Sequence, residues 1–357
     1  MRTVRKIIIL ILVTLIILTL KSTTQVNIFA SSSLNSNNRK IANIAVIVHR
    51  LDDTYMIRLR ESLENIEKDK QNNVKFTFFD GKNNISIQNE IIDSAIRNNY
   101  DLLILNLADK RENIVVDILN RTKGENIPVI LMNISPEVVS KVSNIYDKVA
   151  FVLPDSKQAG TSEGKIIIDL WNNKKNSIDK NGDGILQYVL LKGRVNDPQA
   201  IDRTKYVIST INDSGIKTQE IALIDANWLK ELAESSINNL FLKYNGSIEA
   251  IISNNDAMAI GAIEALQKYG YNKGDNSKNI AVIGIDGLPE SKDLIDKGFM
   301  TGTVIQDSNV LAQMLYTIGI NLINNLTSTE NTNYKTVNGE IIIPYPYDIY
   351  MGKLNAP

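Results

Sequence analysis

Short, almost wholly apolar runs alternate with helix-length amphipathic stretches along nearly the whole chain. Runs at Ile44–Val48, Lys75–Phe79, Leu102–Leu105 and Val129–Met132 read as strands. A second series follows at Ala150–Leu153, Gln187–Leu191, Glu220–Ile224, Glu249–Ile252 and Ile280–Ile285. A late strand at Thr303–Ile305 precedes a long helix near Val310–Leu326. Strands this apolar, each followed by a helix, belong to parallel sheets covered on both faces. Two such series predict an α/β chain with two doubly wound parallel-sheet lobes. In open sheets of this kind ligands bind beyond the carboxyl ends of the strands, so the polar residues just after each strand are where function is expected.

The length, 357 residues, suits two domains at roughly 150 residues each. Chains of this size bury cores without disulfide staples. There is no cysteine, which excludes disulfides, thiolate metal sites, cysteine nucleophiles and a lipid anchor on an N-terminal cysteine. The net charge of -1 supplies no whole-molecule field for nucleic acid, and the expected state is a monomer.

Arg2, Arg5 and Lys6 precede an apolar run from Ile7 to Leu20, the layout of a secretory signal. A helix of that length covers only about 21 Å, short of the ~30 Å hydrocarbon core. Two readings of residues 1–30 stay open: a signal peptide, with Ala30 before Ser31 as a cleavage point, or an uncleaved membrane anchor helped by Lys21. Either places the folded part outside the cytoplasm, periplasmic or at the cell surface. Residues 31–41 read as a linker, polar from Ser31 to Lys40.

The segment from Asp179 to Gln187 sets oxygen side chains at the first, third, fifth and ninth positions of a loop: Asp179, Asn181, Asp183 and Gln187. Gly184 stands where the loop must turn, and Ile185 offers its carbonyl. This is the order of calcium ligands in an EF-hand loop. The twelfth position, however, is Leu190, where a bidentate glutamate would close the shell, and the loop runs into a strand instead of a helix. A structural calcium ion here must borrow a carboxylate from elsewhere. The bland alternative is an Asn-Gly-Asp-Gly surface turn.

Polar residues also stand at the expected strand ends. Asp52 and Asp53 follow the first strand, with Tyr55 beyond; Asn106 follows Leu105; Asn254, Asn255 and Asp256 follow Ile252; Asp286 follows Ile285. Arg203 and Trp228 fall near helix starts in the second lobe. Carboxylates, amides and arginine offer planar, bidentate hydrogen bonds, which suits the hydroxyls of a monosaccharide. Tyr55 and Trp228, from different lobes, can cover the apolar faces of a sugar ring. Each residue has a structural alternative: Asn254–Asp256 as a helix cap, Trp228 as packing, Arg203 as an ion pair, Asp53 as a turn residue.

With these residues in view the chain resembles the periplasmic galactose/glucose-binding proteins of the type I periplasmic binding fold. The similarity runs from about Ile44 to about Tyr345 and is most specific in Asp179–Gly193, Ser253–Leu266 and Val282–Glu290. It implies that Glu249 completes the calcium ligands Asp179, Asn181, Asp183, Ile185 and Gln187. It implies sugar contacts at Asp53, Asn106, Arg203, Asn255 and Asp286, with Tyr55 at the family's aromatic position and Trp228 opposing it. It implies a three-strand hinge between a first lobe of 42–127 plus 306–342 and a second of 128–305 plus 343–357. The chain departs from the family at Asp197 and Gln199, where the pattern has His and Asp, and at Gln306, where it has Asn. Altered polar contacts change which hydroxyl pattern is accepted, so galactose or glucose, a pentose and another hexose all stay open.

The expected function is therefore solute binding: delivery of a sugar to the permease of an ABC sugar importer or, as the alternative, presentation to a membrane sensor such as a chemoreceptor in chemotaxis or a histidine kinase. Against an enzyme, the only histidine, His49, ends a strand without a serine or cysteine elbow. Against a transcription regulator on the same fold, an export segment stands where a DNA-binding helix pair would be.

Overall fold

A computed structural model describes residues 41–352 apart from 71, 72 and 245. The expected leader at 1–30 and the linker up to residue 40 lie outside the described residues. Among the described residues, no helix is long and apolar enough to cross a membrane.

The chain begins with strands β1 (Ala42–Val48), β2 (Val74–Asp80), β3 (Leu102–Asn106), β4 (Val129–Met132) and β5 (Val149–Leu153), interleaved with helices α1 (Thr54–Asp69), α2 (Ile85–Arg97), α3 (Glu112–Gly124) and α4 (Pro136–Val142). It continues through α5 (Ser156–Ile178), β6 (Ile185–Lys192), α6 (Pro198–Asp213), β7 (Lys217–Asp225), α7 (Lys230–Tyr244), β8 (Ala250–Ser253), α8 (Asp256–Lys268), β9 (Ala281–Asp286), α9 (Pro289–Asp296) and β10 (Gly302–Ile305). Helix α10 (Ser308–Ile323) and the short strands β11 (Thr336–Val337), β12 (Glu340–Ile342) and β13 (Ile349–Tyr350) complete it.

The strands form a seven-stranded sheet in the order β11-β12-β5-β4-β3-β1-β2 and a six-stranded sheet in the order β13-β10-β9-β8-β6-β7. The pairings are parallel except for β11 with β12 and β10 with β13. In β3, β4 and β9 every residue is buried, which is why these strands read as unbroken apolar runs. The edge strand β7 mixes exposed and half-buried residues.

The lobe boundary differs from the expectation. Strands β4 and β5 pair in register with the first sheet, Leu103 opposite Val129 and Ile130 opposite Ala150. The first lobe therefore extends through Leu153, and the break expected between 127 and 128 does not exist. Doubly buried strands look alike in sequence on either side of a crossover, so the pattern does not say which sheet a strand joins. The chain passes between sheets after β5, after β10 and after β12, a three-strand hinge. Hydrogen bonds tie these passages: Ile343 N–H to the Leu153 carbonyl at 3.0 Å and Ile305 N–H to the Asp348 carbonyl at 2.8 Å.

Each sheet reverses its strand order once on the way out from its first strand, between β1 and β3 in the first lobe and between β6 and β8 in the second. Crevices at such reversals are where doubly wound sheets bind ligands. The loops after β1, β3, β6 and β8 thus frame the cleft.

Candidate functional site

One cavity between the lobes is lined by all ten side chains singled out in the sequence: Asp53, Tyr55, Asn106, Asp197, Gln199, Arg203, Trp228, Asn255, Asp286 and Gln306. Its atom-free space, counted out to the open solvent, is about 620 Å³. His49, Met56, Lys110, Met132, Asn133, Pro154, Leu311, Ile343 and Tyr345 complete the lining.

Several lining residues are also helix caps. Asp53 accepts from Met56 N–H at 3.0 Å and caps α1; Asn255 accepts from Met258 N–H at 3.0 Å and caps α8. The structural and binding readings of these residues coexist, because a cap at a strand end sits on the cleft floor. Their neighbours Asn254 and Asp256 are not among the lining residues and bond within the protein. Asp256 accepts from the Thr303 hydroxyl at 2.7 Å and from Leu288 N–H at 2.8 Å. Asn254 Oδ1 takes Gly193 N–H at 3.1 Å.

Arg203 is the hub. It is 3% exposed and donates to the Asn254 carbonyl at 2.6 Å, to Gln306 Oε1 at 2.8 Å and to Gln199 Oε1 at 3.2 Å. Its guanidinium lies over the Trp228 ring, 5.6 Å from the centroid. Trp228 fits because residue 193 is glycine: a Cβ there would stand 2.2 Å from the indole. Tyr55, from the first lobe, shares a 2.5 Å hydrogen bond with Tyr345 in the hinge segment.

Among the described residues, Asn106 Oδ1, Arg203 Nε, Gln306 Nε2 and His49 Nδ1 are buried without a protein partner. Such groups carry a desolvation cost unless something bonds them. A polyhydroxyl ligand, donor and acceptor at once, answers this mixed set. Burial pushes the Asp286 carboxyl well up, with Arg203 beside it partly opposing. Burial likewise raises Asp53, against the Met56 N–H and the Arg50 charge.

Asp197 differs. Burial would raise its carboxyl, but Lys110 holds it below the usual range. Its Oδ1 accepts from Gln199 N–H at 3.0 Å and its Oδ2 pairs with Lys110 Nζ at 2.8 Å. Both oxygens are thus engaged by protein groups.

His49 was legible only as the end of a strand, yet it lines the cavity. Burial, then the charges of Lys110 and Arg194, lower its pKa to about 3. The folded-state value lies below the unfolded value of 6.5, so between the two the unfolded chain holds the extra proton. The contribution of His49 to stability is complete above the unfolded value and is lost as the pH falls toward the folded one, by up to about 1.4 kcal/mol per pH unit. Melting temperatures of wild type and His49→Asn compared from pH 7 down to pH 4 are expected to show a flatter acid limb in the variant; parallel limbs would contradict the assignment.

The loop from Asp179 leads into the amino end of β6, whereas the cavity residues Asp197 and Gln199 follow its carboxyl end, and the loop forms its own cluster. Asp179 Oδ2 accepts from Gly184 N–H at 3.1 Å, and Asn181 Oδ1 from Asp183 N–H at 2.9 Å. Gly184 has φ +75°, the left-handed turn that only glycine adopts freely. Glu249, 1% exposed, accepts from Lys180 N–H at 2.7 Å and Gln187 N–H at 3.1 Å. The sheet explains this reach: β8 runs beside β6 with Ala250 opposite Tyr188, which brings Glu249 next to Gln187. Leu190 is fully buried in β6 and cannot close the loop.

A calcium shell at this loop would need amide and carbonyl oxygens besides carboxylates. Among the described residues no group of three or more His, Asp or Glu side chains converges by itself as a metal cluster. The donor set nonetheless fits the ion's chemistry. Asp179 Oδ1 is buried without a partner, and burial pushes the Glu249 carboxyl up, a cost that a hard cation would offset. The amides of Asn181 and Gln187 now donate to Asp183 Oδ2, at 3.0 and 2.8 Å, and a half-turn of each would present oxygen instead.

Fold and site together define a two-lobed binding protein that holds a small polar ligand at facing sheet reversals. Residues 44–327 match the model of the periplasmic binding protein domain, and the chain belongs to that family, which binds solutes and does not catalyse. It is 33% identical over 317 residues to the D-galactose/methyl-galactoside binding periplasmic protein MglB of Haemophilus influenzae, covering 88% of this chain and 91% of that one. It is 24% identical over 280 residues to the ribose import binding protein RbsB of Bacillus subtilis, covering 78% and 81%. Among solved structures, an ABC transporter solute binding protein from Bacillus halodurans with bound myo-inositol superposes with a TM-score of 0.66 at 24% identity, covering 80% of this chain and 90% of that one; that likeness concerns the fold.

Proposed function

We propose that this exported protein binds a monosaccharide, of the galactose or glucose kind, between its lobes and delivers it to an ABC sugar importer. The observation that carries the reading is that the ten sequence-derived polar and aromatic residues line one cavity drawn from both lobes. Asp53, Asn106, Arg203, Asn255, Asp286 and Gln306 supply the hydrogen bonds, and Tyr55 and Trp228 the apolar contact. The names of the Haemophilus and Bacillus relatives, which bind galactosides and serve ribose import, point the same way. Micromolar affinity requires about 8 kcal/mol net, within reach of a handful of hydrogen bonds to charged groups at ~1.5–3 kcal/mol each, less ordering costs.

Calorimetric titration with galactose, glucose, xylose and arabinose tests the ligand class. One of the four is expected to bind at micromolar Kd, and a panel without heat would contradict it. The importer reading is tested separately by deletion: loss of growth on the bound sugar supports it, whereas intact growth with lost taxis or sensing would favour the membrane sensor. We also propose that the loop at Asp179 holds one structural calcium ion, with Asp179, Asn181, Asp183, the Ile185 carbonyl, Gln187 and Glu249 as its ligands.

A further inference from the structure

Two contacts bridge the lobes across the cleft without involving the hinge. Lys110 Nζ pairs with Asp197 Oδ2 at 2.8 Å, with side chains only 12% and 10% exposed. Beside it, the Arg194 guanidinium donates to the Ala108 carbonyl at 2.5 Å. Lys110 and Ala108 lie on the loop after β3, and Arg194 and Asp197 on the loop after β6. These loops leave the two sheets at their reversals, so the contacts join the two halves of the binding crevice directly.

Asp197 is more than a counter-ion. Through Oδ1 it caps α6, the helix that carries Gln199 and Arg203, and Gln199 in turn accepts from Arg203. A chain of contacts thus joins Lys110 of the first lobe, through Asp197 and Gln199, to Arg203 in the second.

We propose that Lys110 is a positioning and specificity-determining residue of the binding site. By engaging Asp197 across the cleft it withdraws that carboxylate from the ligand, fixes the start of α6 and latches the lobes together. This rests on the monosaccharide reading for its affinity consequences, although the latch itself is made of protein groups alone. One consequence concerns selectivity. The hydroxyl that faces residue 197 meets a neutralised ion pair in place of a free acceptor, so preference among epimers at that position is set by Lys110 and Asp197 jointly.

The test is a double-mutant cycle with Lys110→Met and Asp197→Asn, the latter chosen because asparagine retains the helix cap. Each single change is expected to weaken sugar binding by about ten- to a hundred-fold, as for other close charge pairs at interfaces. The double variant is expected to be no weaker than either single one, since coupled partners are non-additive. Lys110→Arg is expected to recover most of the affinity, and the order of preference across the four-sugar panel is expected to change in Lys110→Met. If Asp197→Asn weakens binding while Lys110→Met leaves affinity and ranking unchanged, Asp197 contacts the sugar by itself and the proposal falls.

A second readout needs no sugar. The chain has no cysteine, so spin labels on Ser86→Cys in α2 and Ser235→Cys in α7 report the distance between lobes. Lys110→Met is expected to shift the ligand-free distribution to longer distances. An unchanged distribution would overturn the latch even if no panel sugar binds, which separates its failure from that of the ligand reading.

Discussion

Replacing Arg203 with methionine is expected to weaken sugar binding by about two to three orders of magnitude, roughly the loss of two hydrogen bonds to a charged group at ~1.5–3 kcal/mol each. The size of the effect follows from how much converges on this one side chain. Its guanidinium bonds the Asn254 carbonyl, Gln306 and Gln199 and lies over Trp228. It also opposes the effect of burial on Asp286 and on Glu163, whose carboxyl is fully buried in α5 and raised well above its usual range. Without Arg203 both acids lose the nearby cation that opposes the effect of burial, and their carboxyls are pushed up further. Lysine cannot replace the planar fork, so Arg203→Lys is expected to fall close to Arg203→Met. Calorimetric Kd values, with circular dichroism to show that each variant is folded, check this. Retention of wild-type affinity by either variant would show that the ligand is held elsewhere.

Chelation is expected to lower the melting temperature of the wild-type protein by about 5 °C. The estimate takes an ion present at a hundred times its Kd, worth ~2.7 kcal/mol, and about 2 °C per kcal/mol for a chain of this size. Glu249→Gln is expected to melt at or below the chelated wild type and to be indifferent to chelator. The substitution keeps the shape of the side chain while removing the charge that a cation needs. Glu249 also accepts two backbone N–H groups, from Lys180 and Gln187, so a drop in melting temperature alone would not implicate a metal. Loss of the chelator response is the diagnostic part. A wild-type protein that melts identically with and without chelator would leave the loop as an Asn-Gly-Asp-Gly turn closed by its own hydrogen bonds.

The fold was legible because parallel strands buried on both faces leave an unmistakable apolar signature, and the cleft because polar residues interrupt that signature where strands end. What sequence could not assign was membership. Val129–Met132 and Ala150–Leu153 are as apolar as strands of either sheet, and only their pairing with β3 puts them in the first lobe. The candidate site divided along similar lines. Asp53, Asn106, Asn255 and Asp286 stand within a few residues of a strand end, and position alone marked them. Lys110 comes four residues after β3 and carries a flexible chain, so nothing local says that its ammonium turns into the cavity. Its partner Asp197 was legible as a polar residue near Arg203, but a salt bridge between residues 87 apart is a property of the tertiary fold. Tyr345 reaches the cavity from the hinge segment near the C-terminus, where no strand-end rule applies.

The most direct measurement is the fluorescence of Trp228 during sugar titration. The chain has two tryptophans. The other, Trp171, is 8% exposed in α5 and does not line the cavity, so Trp171→Phe isolates the signal. A sugar that binds between the lobes must meet Trp228, and a saturable change in its emission, with the Kd found by calorimetry, is the predicted result. Calorimetric binding of a sugar with unchanged Trp228 emission, or a panel silent by both methods, would contradict a ligand held at this cleft.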